Sequence, residues 1–308
     1  TFEAARPPLG CRRDLLTVCM LGTGCAVPSR HRAPAAVYLH AFSRGGVLLD
    51  VGEGSLGQLA ALLPPSRMVD ALGRLSMVWI SHHHADHHLG LLRLLSAAHE
   101  VRGPSAPPLL VVGPRAVGTF LRAYHQLLPK RARPRIFFEH CASFNSARSS
   151  GRAQLLRSGQ LGLRAVRCVP VLHCADAWGV VLEHAAGWSV VYSGDTRPCE
   201  ALASAGRGAT LLIHEATFDD DRAADAVQKR HSTRGEALSI AERMGAYRVL
   251  LTHLSSRYSK LLYQRKVSST PQVDEADGLE HTKGPDSQLA AASRSLVAFD
   301  MMAINLAD

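Results

Sequence analysis

The stretch that decides the fold is Met77-Val78-Trp79-Ile80-Ser81-His82-His83-His84-Ala85-Asp86-His87. Its apolar beginning is typical of a buried strand, and its end is a turn rich in nitrogen and oxygen donors. His82 and His84 can face one metal ion, and Asp86 and His87 can reach a second. Imidazole and carboxylate are good zinc ligands. Because the run contains no cysteine, it indicates an open, catalytic metal site rather than a closed, structural one.

Three further candidate ligands lie downstream, each after a run typical of a strand. They are His173 after 165–172, Asp195 after 188–194 and His253 after 247–252. A lone histidine after an apolar run is usually an ordinary loop or core residue, and a histidine-rich surface loop would explain the first stretch alone. The complete set in this order favours a site for two metals.

Taken together, these stretches resemble the metallo-β-lactamase superfamily. The resemblance implies an α/β protein with a four-layer αββα sandwich and a site for two Zn²⁺ ions at the edge of the two sheets. It also implies how the ligands divide: His82, His84 and His173 hold one zinc, Asp86, His87 and His253 hold the other, and Asp195 bridges the pair. Zinc is expected from the ligand types, although manganese or iron suits the same donors.

Further motifs narrow the resemblance within that superfamily. They are 21–28 (LGTGCAVP), 49–54 (LDVGEG), 192–200 (YSGDTRPCE), 214–217 (HEAT), 231–233 (HST), 252–258 (THLSSRY) and 296–300 (LVAFD). In combination they look like tRNase Z, the family of endonucleases that remove the 3′ trailer from precursor tRNA. The implied function is a zinc-dependent endoribonuclease that acts on precursor tRNA.

One spacing distinguishes two forms of that family. The short form carries an RNA-gripping arm between the third histidine ligand and the bridging aspartate. Here Asp195 follows His173 by only 22 positions, and 180–191 reads as a single hairpin. The chain therefore resembles the catalytic C-terminal half of the long form, and we expect an N-terminal half or another protein chain to supply the arm. The chain also begins at Thr1 without a methionine, as a cut or partial product would.

The same resemblance implies catalytic roles for three residues. Asp86 would orient or deprotonate the attacking water while it holds its metal. His231 would donate a proton to the departing 3′ oxygen, and Glu215 would orient that imidazole. The alternatives are a salt bridge at the sheet edge for Glu215 and a helix-start residue for His231. Asp50 and Thr196 are expected to support the ligand loops through hydrogen bonds.

Candidate substrate-binding residues come from the same motifs: Arg30, Arg32, Thr217, Ser255, Arg257 and Tyr258. One of these motifs departs from the family. The loop that reads P-x-K-x-R-N in tRNase Z and senses the CCA end reads Pro28-Ser29-Arg30-His31-Arg32-Ala33 here. Its charge is kept, but Arg is not equivalent to Lys at a directional contact. Ala33 also lacks the side-chain amide, so we expect altered discrimination against mature CCA ends.

Composition agrees with this interpretation without proving it. The net charge of +9 and the pI of about 9.5 suit a polyanionic partner, although basic surfaces often have other causes. No apolar run approaches the roughly 20 residues of a membrane span, so no membrane partner is expected. Seven cysteines without a C-x-x-C pair favour reduced thiols inside the cell. The family resemblance places the protein in the mitochondrion, the nucleus or both.

The chain is expected to form one large catalytic domain over 15–308, after a linker or processed remnant at 1–14. Predicted strands are 15–21, 35–40, 46–50, 77–80, 109–112 and a closing strand near 295–299. Predicted helices are 54–63, 88–99, 115–128, 221–230 and 234–244. The stretch 130–151 reads as an irregular connection, and 260–292 reads as a flexible insertion.

Two other functions remain open at this stage. The chain could be a metallo-β-lactamase-type phosphodiesterase or thioesterase of another substrate. It could also be a catalytically weak or inactive, metal-bound RNA-binding or scaffold subunit of a larger assembly. The intact set of seven ligands and His231 argue against loss of activity, whereas Ala33 and the missing arm favour the scaffold.

Overall fold

The computed structural model describes residues 17–40, 45–158, 161–255 and 295–305, which form two mixed β-sheets with helices on their outer faces. The first sheet has seven strands: β1 (Thr17–Gly22), β2 (Ala36–His40), β3 (Gly46–Val51), β4 (Leu75–Trp79), β5 (Leu109–Gly113), β6 (Ile136–His140) and β13 (Met302–Asn305). Their order is β13-β1-β2-β3-β4-β5-β6, and the strands from β3 to β6 run parallel.

The second sheet has six strands: β7 (Leu163–Pro170), β8 (Trp178–His184), β9 (Ser189–Tyr192), β10 (Leu211–Glu215), β11 (Arg248–Thr252) and β12 (Ser295–Val297). Their order is β12-β11-β10-β9-β8-β7. The strands from β9 to β12 run parallel, whereas β8 pairs antiparallel with both β7 and β9. The hairpin expected at 180–191 is therefore present.

The α-helices of the described residues are α1 (Ser55–Leu62), α2 (Pro65–Gly73), α3 (Ala85–His88), α4 (Leu91–Arg102), α5 (Arg115–Leu127), α6 (Cys141–Phe144), α7 (Ser150–Arg157), α8 (Glu200–Ala205), α9 (Ala223–Lys229) and α10 (Arg234–Met244). Short 3₁₀ turns lie at Lys130–Ala132 and Asp220–Arg222. Across the described parts of the chain, no helix is both long and apolar enough to cross a membrane.

Three apolar clusters define four layers. The central cluster lies between the two sheets and includes Trp79 from one and Ile213 from the other. A second cluster packs α1, α4 and α5 on the outer face of the first sheet, and a third packs α8 and α10 on the second. Because both faces of each sheet are covered, strands such as β3 and β10 are buried at every residue. The predicted αββα sandwich is confirmed.

The helix after the H-S-T motif shows how local sequence sets an element. Thr233 is the N-cap of α10: its hydroxyl accepts from the Glu236 N–H at 3.3 Å, and the Glu236 carboxylate accepts from the Thr233 N–H at 2.8 Å. This reciprocal capping box satisfies two donors that the helix start leaves open. Gly245, with φ of 67°, ends the helix. The predicted helix at 234–244 is confirmed.

The prediction for 130–151 is wrong. This stretch contains β6 and α6, and α7 begins within it. β6 is the edge strand of its sheet and is only half-buried, so its residues show neither a continuous apolar run nor a clean alternation. Two smaller differences concern helices: α2, which starts at Pro65, was not predicted, and the predicted helix at 88–99 starts only at Leu91.

The segment 295–305 returns to both sheets. β12 pairs with β11, as the predicted closing strand should, and β13 then pairs with β1 on the other sheet. β13 was not predicted, because four residues with little burial carry no strong periodic signal. The predicted linker at 1–14 and insertion at 260–292 lie outside the described residues.

Candidate metal centre and active site

The seven candidate ligands converge at one edge of the sandwich, although they come from both sheets. Four of them follow β4: His82, His84, Asp86 and His87. His173 follows β7, Asp195 follows β9 and His253 follows β11. Each lies just beyond the end of a strand, where loops from neighbouring strands meet. Groups of their nitrogen and oxygen atoms lie within 4.8 Å of one another.

The first group lies around His82, His84 and His173. The two facing nitrogens, His84 Nδ1 and His173 Nε2, are 3.1 Å apart. The Asp195 Oδ2 atom is 3.6 Å from His82 Nε2 and 3.8 Å from His173 Nε2. The Cys174 thiol also lies within 4.8 Å of these three histidine nitrogens. Its sulfur is 3.8 Å from His83 Nδ1.

The second group lies around Asp86, His87 and His253. His253 Nε2 is 3.3 Å from His87 Nε2 and 3.2 Å from Asp86 Oδ2. Asp195 reaches this group as well: its Oδ2 is 3.3 Å from His87 Nε2 and its Oδ1 is 3.4 Å from His253 Nε2. Asp195 therefore lies between the two groups and touches both.

The arrangement fits cations. Within the described residues, the His82 Nε2 and Asp195 Oδ1 atoms are buried without a hydrogen-bond partner. Buried polar atoms are rarely left in this state, because each lost partner costs about 1–3 kcal/mol. Imidazole nitrogens and carboxylate oxygens facing one another are the ligand set that zinc prefers in open sites.

The pKa values of the histidines shift in opposite directions in the two ligand groups. Burial lowers the pKa of His82 well below its ordinary value, and it lowers the pKa of His84 and His173. These rings are therefore neutral and have a lone pair to offer. Burial opposes charge on His87 and His253 too, but the neighbouring acidic groups, Asp195 foremost, together outweigh it and raise the pKa of both. The surroundings of Asp195 thus favour positive charge beside it.

Asp50 supports the ligand turn 81–87 through hydrogen bonds. Its buried carboxylate accepts from the Ser81 N–H at 2.7 Å, the Ser81 hydroxyl at 2.8 Å and the Tyr192 hydroxyl at 2.7 Å. It also accepts from His87 Nδ1 at 2.7 Å, which leaves Nε2 of that ring free to bind a metal. The predicted supporting role of Asp50 agrees with these contacts. Ser81 and Tyr192 were missed, since neither residue type signals a metal site.

Two other ligands are oriented in the same way. His173 Nδ1 donates to the Arg230 carbonyl at 2.8 Å, and His253 Nδ1 lies 2.9 Å from the Thr217 hydroxyl. Both Arg230 and His253 have φ of 58°, in the left-handed region that costs energy for residues other than glycine. Such strain is concentrated at functional sites. The role of Arg230 was not predicted, because no feature of the sequence indicates it.

His231 and Glu215 form a buried pair beside the ligands. His231 Nδ1 donates to Glu215 Oε1 at 2.8 Å and lies 3.8 Å from Asp195 Oδ2. Burial opposes charge on His231, but Glu215 and Asp195 outweigh it and raise the pKa of this imidazole. Glu215 also accepts from three backbone N–H groups and one hydroxyl, those of Thr196, Thr217 and Ser232. The Thr196 contact agrees with the support expected of that residue.

The candidate substrate-binding residues differ in placement. Arg30 is exposed and Ser255 is half-buried. Thr217 is only 2% exposed; its hydroxyl donates to Glu215 Oε2 at 2.6 Å and lies 2.9 Å from His253 Nδ1, so it supports both of these side chains. The Arg32 guanidinium donates to Thr23 and to the Ala298 carbonyl, which gives it a structural role. Arg257 and Tyr258 lie outside the described residues.

Arg197 lies in the motif 192–200, but the sequence did not reveal its role. Its guanidinium donates to the His231 carbonyl at 2.5 Å and to Glu236 Oε2 at 2.7 Å, and it makes a second contact with Glu236 Oε1. Because Glu236 belongs to the capping box of α10, Arg197 joins the backbone at His231 to the start of that helix. The ion pair fixes His231 relative to the loop that carries Asp195.

Comparison with known proteins agrees with this geometry. The chain is 37% identical to "tRNAse Z TRZ4, mitochondrial" of Arabidopsis thaliana over 355 residues, which cover 96% of this chain and 35% of that protein. It is 40% identical to "Zinc phosphodiesterase ELAC protein 2" of Homo sapiens over 252 residues, 79% of this chain and 30% of that protein. The chain thus spans about a third of the length of these curated relatives.

Solved structures and a family model identify the fold class. A long form RNase Z from yeast superposes with a TM-score of 0.76 at 25% identity, covering 96% of this chain and 42% of that one. The short form of human tRNase Z shares the fold, with a TM-score of 0.67 at 23% identity, covering 94% of this chain and 99% of that one. A model of the beta-lactamase superfamily domain matches residues 46–254, which include the seven converging ligands. The chain therefore belongs to the beta-lactamase superfamily and has the metallo-β-lactamase fold.

Proposed function

We propose that this chain is the catalytic part of a zinc-dependent endoribonuclease of the tRNase Z type, which removes the 3′ trailer from precursor tRNA. The observation that carries the proposal is the placement of the His231–Glu215 pair beside two ligand groups joined by Asp195. The names of the similar proteins, tRNase Z and zinc phosphodiesterase, support both the substrate and the metal.

The ligand groups suggest how two zinc ions are held. His82, His84 and His173 would hold one ion, Asp86, His87 and His253 would hold the other, and Asp195 lies close enough to both groups to be shared. The distances of 3.3–3.8 Å from Asp195 oxygens to histidines of both groups support the bridging role. Hydrogen bonds from the distal nitrogens of His87, His173 and His253 fix which nitrogen of each ring faces the metal.

The reaction breaks the bond between phosphorus and the 3′ oxygen of the tRNA, with water as the nucleophile. Zinc, when bound, supplies Lewis acidity that lowers the pKa of water toward ~7 and offsets charge on the phosphate. Asp86 lies at the centre with one carboxylate oxygen held by the Ala26 N–H at 2.7 Å. That anchor orients the carboxylate so that it can direct the attacking water.

His231 completes the reaction by protonating the departing 3′ oxygen. Glu215 holds Nδ1 of the ring, so the opposite nitrogen, Nε2, is the one that carries the transferable proton. Because Glu215 and Asp195 raise the pKa of His231, the ring is protonated more fully near neutral pH than a free imidazole. The product ends are a 3′ hydroxyl on the tRNA and a 5′ phosphate on the trailer.

The arm that grips the RNA must come from outside the segment between His173 and Asp195. Between His173 and Asp195 the structure describes the β8–β9 hairpin and short loops, with no arm projecting from them. The similarity to a long form RNase Z, of which the chain covers 42%, supports an N-terminal half or another protein chain as the source of the arm. The mitochondrial relatives from Arabidopsis support a mitochondrial location.

The decisive experiment uses precursor tRNA with a labelled 3′ trailer and bis-p-nitrophenyl phosphate as the comparison substrate. The purified protein should release the intact trailer and contain two zinc ions, and Asp86→Ala should abolish cleavage. Turnover of the small ester without RNA cleavage would favour a phosphodiesterase of another substrate. If the wild type and the variant bind RNA equally and neither cleaves it, the scaffold function is correct.

A further inference from the structure

Asp300 connects the end of the described chain to the loop after β1. It lies between β12, which pairs with the second sheet, and β13, which pairs with the first. One carboxylate oxygen accepts from the Thr23 N–H at 3.0 Å and from the Thr23 hydroxyl at 2.7 Å. The other accepts from the Ala33 N–H at 2.6 Å and from Gln58 Nε2 at 3.2 Å. Asp300 thereby holds both ends of the loop 23–33.

Arg32 strengthens the same connection. Its Nη1 donates to the Thr23 hydroxyl at 2.6 Å and to the Ala298 carbonyl at 2.8 Å. The side chain is thus directed toward the closing segment. The turn before it is closed by the Ser29 N–H, which donates to the Arg32 carbonyl at 2.9 Å. Arg30 and His31 occupy the centre of this turn, and both are exposed.

The loop also reaches the metal centre. The Ala26 N–H donates to Asp86 Oδ2, and Ala26 needs φ of 66° to point its N–H there. The Cys25 N–H donates to the carbonyl of Leu254, the neighbour of the ligand His253, at 3.3 Å. A loop fastened at both ends by Asp300 therefore carries a contact to Asp86 near its start and exposed basic side chains near its tip.

We propose that Asp300 is a positioning residue that fixes the loop 23–33 beside the metal centre and so presents Arg30 to the phosphates of the precursor RNA. The role of Arg30 rests on the proposed function, whereas the fastening of the loop does not. A loop held in place before binding loses less conformational entropy when the RNA arrives, which lowers KM. Asp300 acts without touching the substrate, and Arg32 contributes to the fastening instead of to RNA contact.

Hydrogen exchange tests the fastening directly. Asp300→Asn keeps the size of the side chain but replaces one acceptor oxygen with an NH₂ group. We expect faster amide exchange in 23–33, including the Thr23 and Ala33 amides, with unchanged exchange in α10. Asp70→Asn, at an exposed carboxylate on α2, is the matched control and should change neither. Unchanged exchange in 23–33 would overturn the proposal whether or not the protein cleaves RNA.

A double-mutant cycle tests the presentation of Arg30. Asp300→Asn and Arg30→Ala should each raise KM for precursor tRNA about tenfold, as expected for the loss of a contact to a charged group. The double variant should be no worse than Asp300→Asn alone, because a released loop no longer presents Arg30. If the fold increases in KM of the two single variants multiply in the double variant, the proposal is contradicted. If Asp300→Asn does not fold, Thr23→Val replaces it in both measurements, because it removes the hydroxyl that bonds both Asp300 and Arg32.

Failure of the two ideas can be told apart. A wild-type protein that does not cleave precursor tRNA contradicts the proposed function, and hydrogen exchange then still decides whether Asp300 fastens the loop. If the protein cleaves precursor tRNA, but the fold increases in KM multiply in the double variant and exchange in 23–33 is unchanged, only the role of Asp300 is contradicted.

Discussion

Two buried carboxylates have matching tasks at the scale of single residues. Asp50 holds His87 from the first sheet, and Glu215 holds His231 from the second. Each accepts several hydrogen bonds from its surroundings, so its charge is compensated without a nearby lysine or arginine in these contacts. Each also leaves the far nitrogen of its imidazole outside this contact, as the proposed metal binding by His87 and the proposed proton transfer by His231 require.

The role of His231 predicts a dependence on the leaving group. His231→Ala should lower kcat on precursor tRNA by about 10²–10⁴-fold, because the 3′ alkoxide needs a proton to depart. Its effect on bis-p-nitrophenyl phosphate should be far smaller, because nitrophenolate departs without protonation. Rates on both substrates and zinc content would be measured side by side. An equal loss on both substrates at normal zinc content would exclude a role as proton donor.

The hydroxyl of Tyr192 offers a test of the support beneath the ligands. Tyr192→Phe removes one buried hydrogen bond to Asp50, and we expect a loss of about 1 kcal/mol in the free energy of unfolding. Zinc affinity should fall about tenfold, as for other residues that orient metal ligands. Denaturant titration and competition with a zinc chelator would measure the two effects. Tyr124→Phe, on the outer helix α5, is the control and should alter neither quantity.

At the scale of elements, the site depends on where strands end. The ligands follow the carboxyl ends of β4, β7, β9 and β11, and the pair partners Glu215 and His231 lie at the end of β10 and just before α10. Parallel strands bring such ends to one edge of a sheet, and face-to-face packing of two sheets brings the two edges together. Residues more than 150 positions apart, such as Asp86 and His253, therefore touch.

The N-cap of α10 is expected to affect both stability and catalysis. Thr233→Ala should destabilise the fold by about 1 kcal/mol, because the capping box is lost. It should also lower kcat, since Arg197 joins the same Glu236 to the backbone of His231. Thermal unfolding and kinetics on precursor tRNA would check this. Ser239→Ala within the same helix should have little effect on either, and equal effects of the two changes would argue against the cap.

At the scale of the whole molecule, the candidate metal centre lies where the two sheets meet. Four of the candidate ligands belong to the first sheet and three to the second, so two cations bound as proposed would link the halves of the sandwich. Removal of zinc with a chelator should therefore lower Tm, and addition of zinc should restore it, as linkage requires. The same treatment should leave Tm unchanged in a His82→Ala/His253→Ala variant. Equal chelator effects in both proteins would contradict a centre built from these ligands.

The net charge predicts a salt dependence. With +9 over the whole chain, RNA binding should release counterions, and KM for precursor tRNA should rise steeply between about 50 and 200 mM salt. KM for the small, singly charged ester should change little over the same range. Initial rates at several salt concentrations would test both expectations. A flat KM for the RNA would show that the basic side chains do not contact it.

The sequence by itself determined which residues could bind metal and what fold carries them. Periodic apolar runs marked most inner strands, because both faces of each sheet are buried and select continuous apolar residues. The H-x-H-x-D-H run and the later His173, Asp195 and His253 indicated a candidate ligand set, because metal chemistry limits the choice of side chain. The apolar periodicity of 234–244 predicted α10 for an equally local reason.

Only the tertiary structure decided how these residues work together. Edge strand β6 and the short β13 lacked a strong local pattern, because their pairing comes from distant parts of the chain. The supporting roles of Tyr192, Arg230 and Arg197 could not be read from the sequence, since their residue types do not signal a metal site and they act only through position. The internal hydrogen bonds of Thr217 and Arg32 were hidden for the same reason: the burial of a polar side chain and the identity of its partners follow from packing across the two sheets.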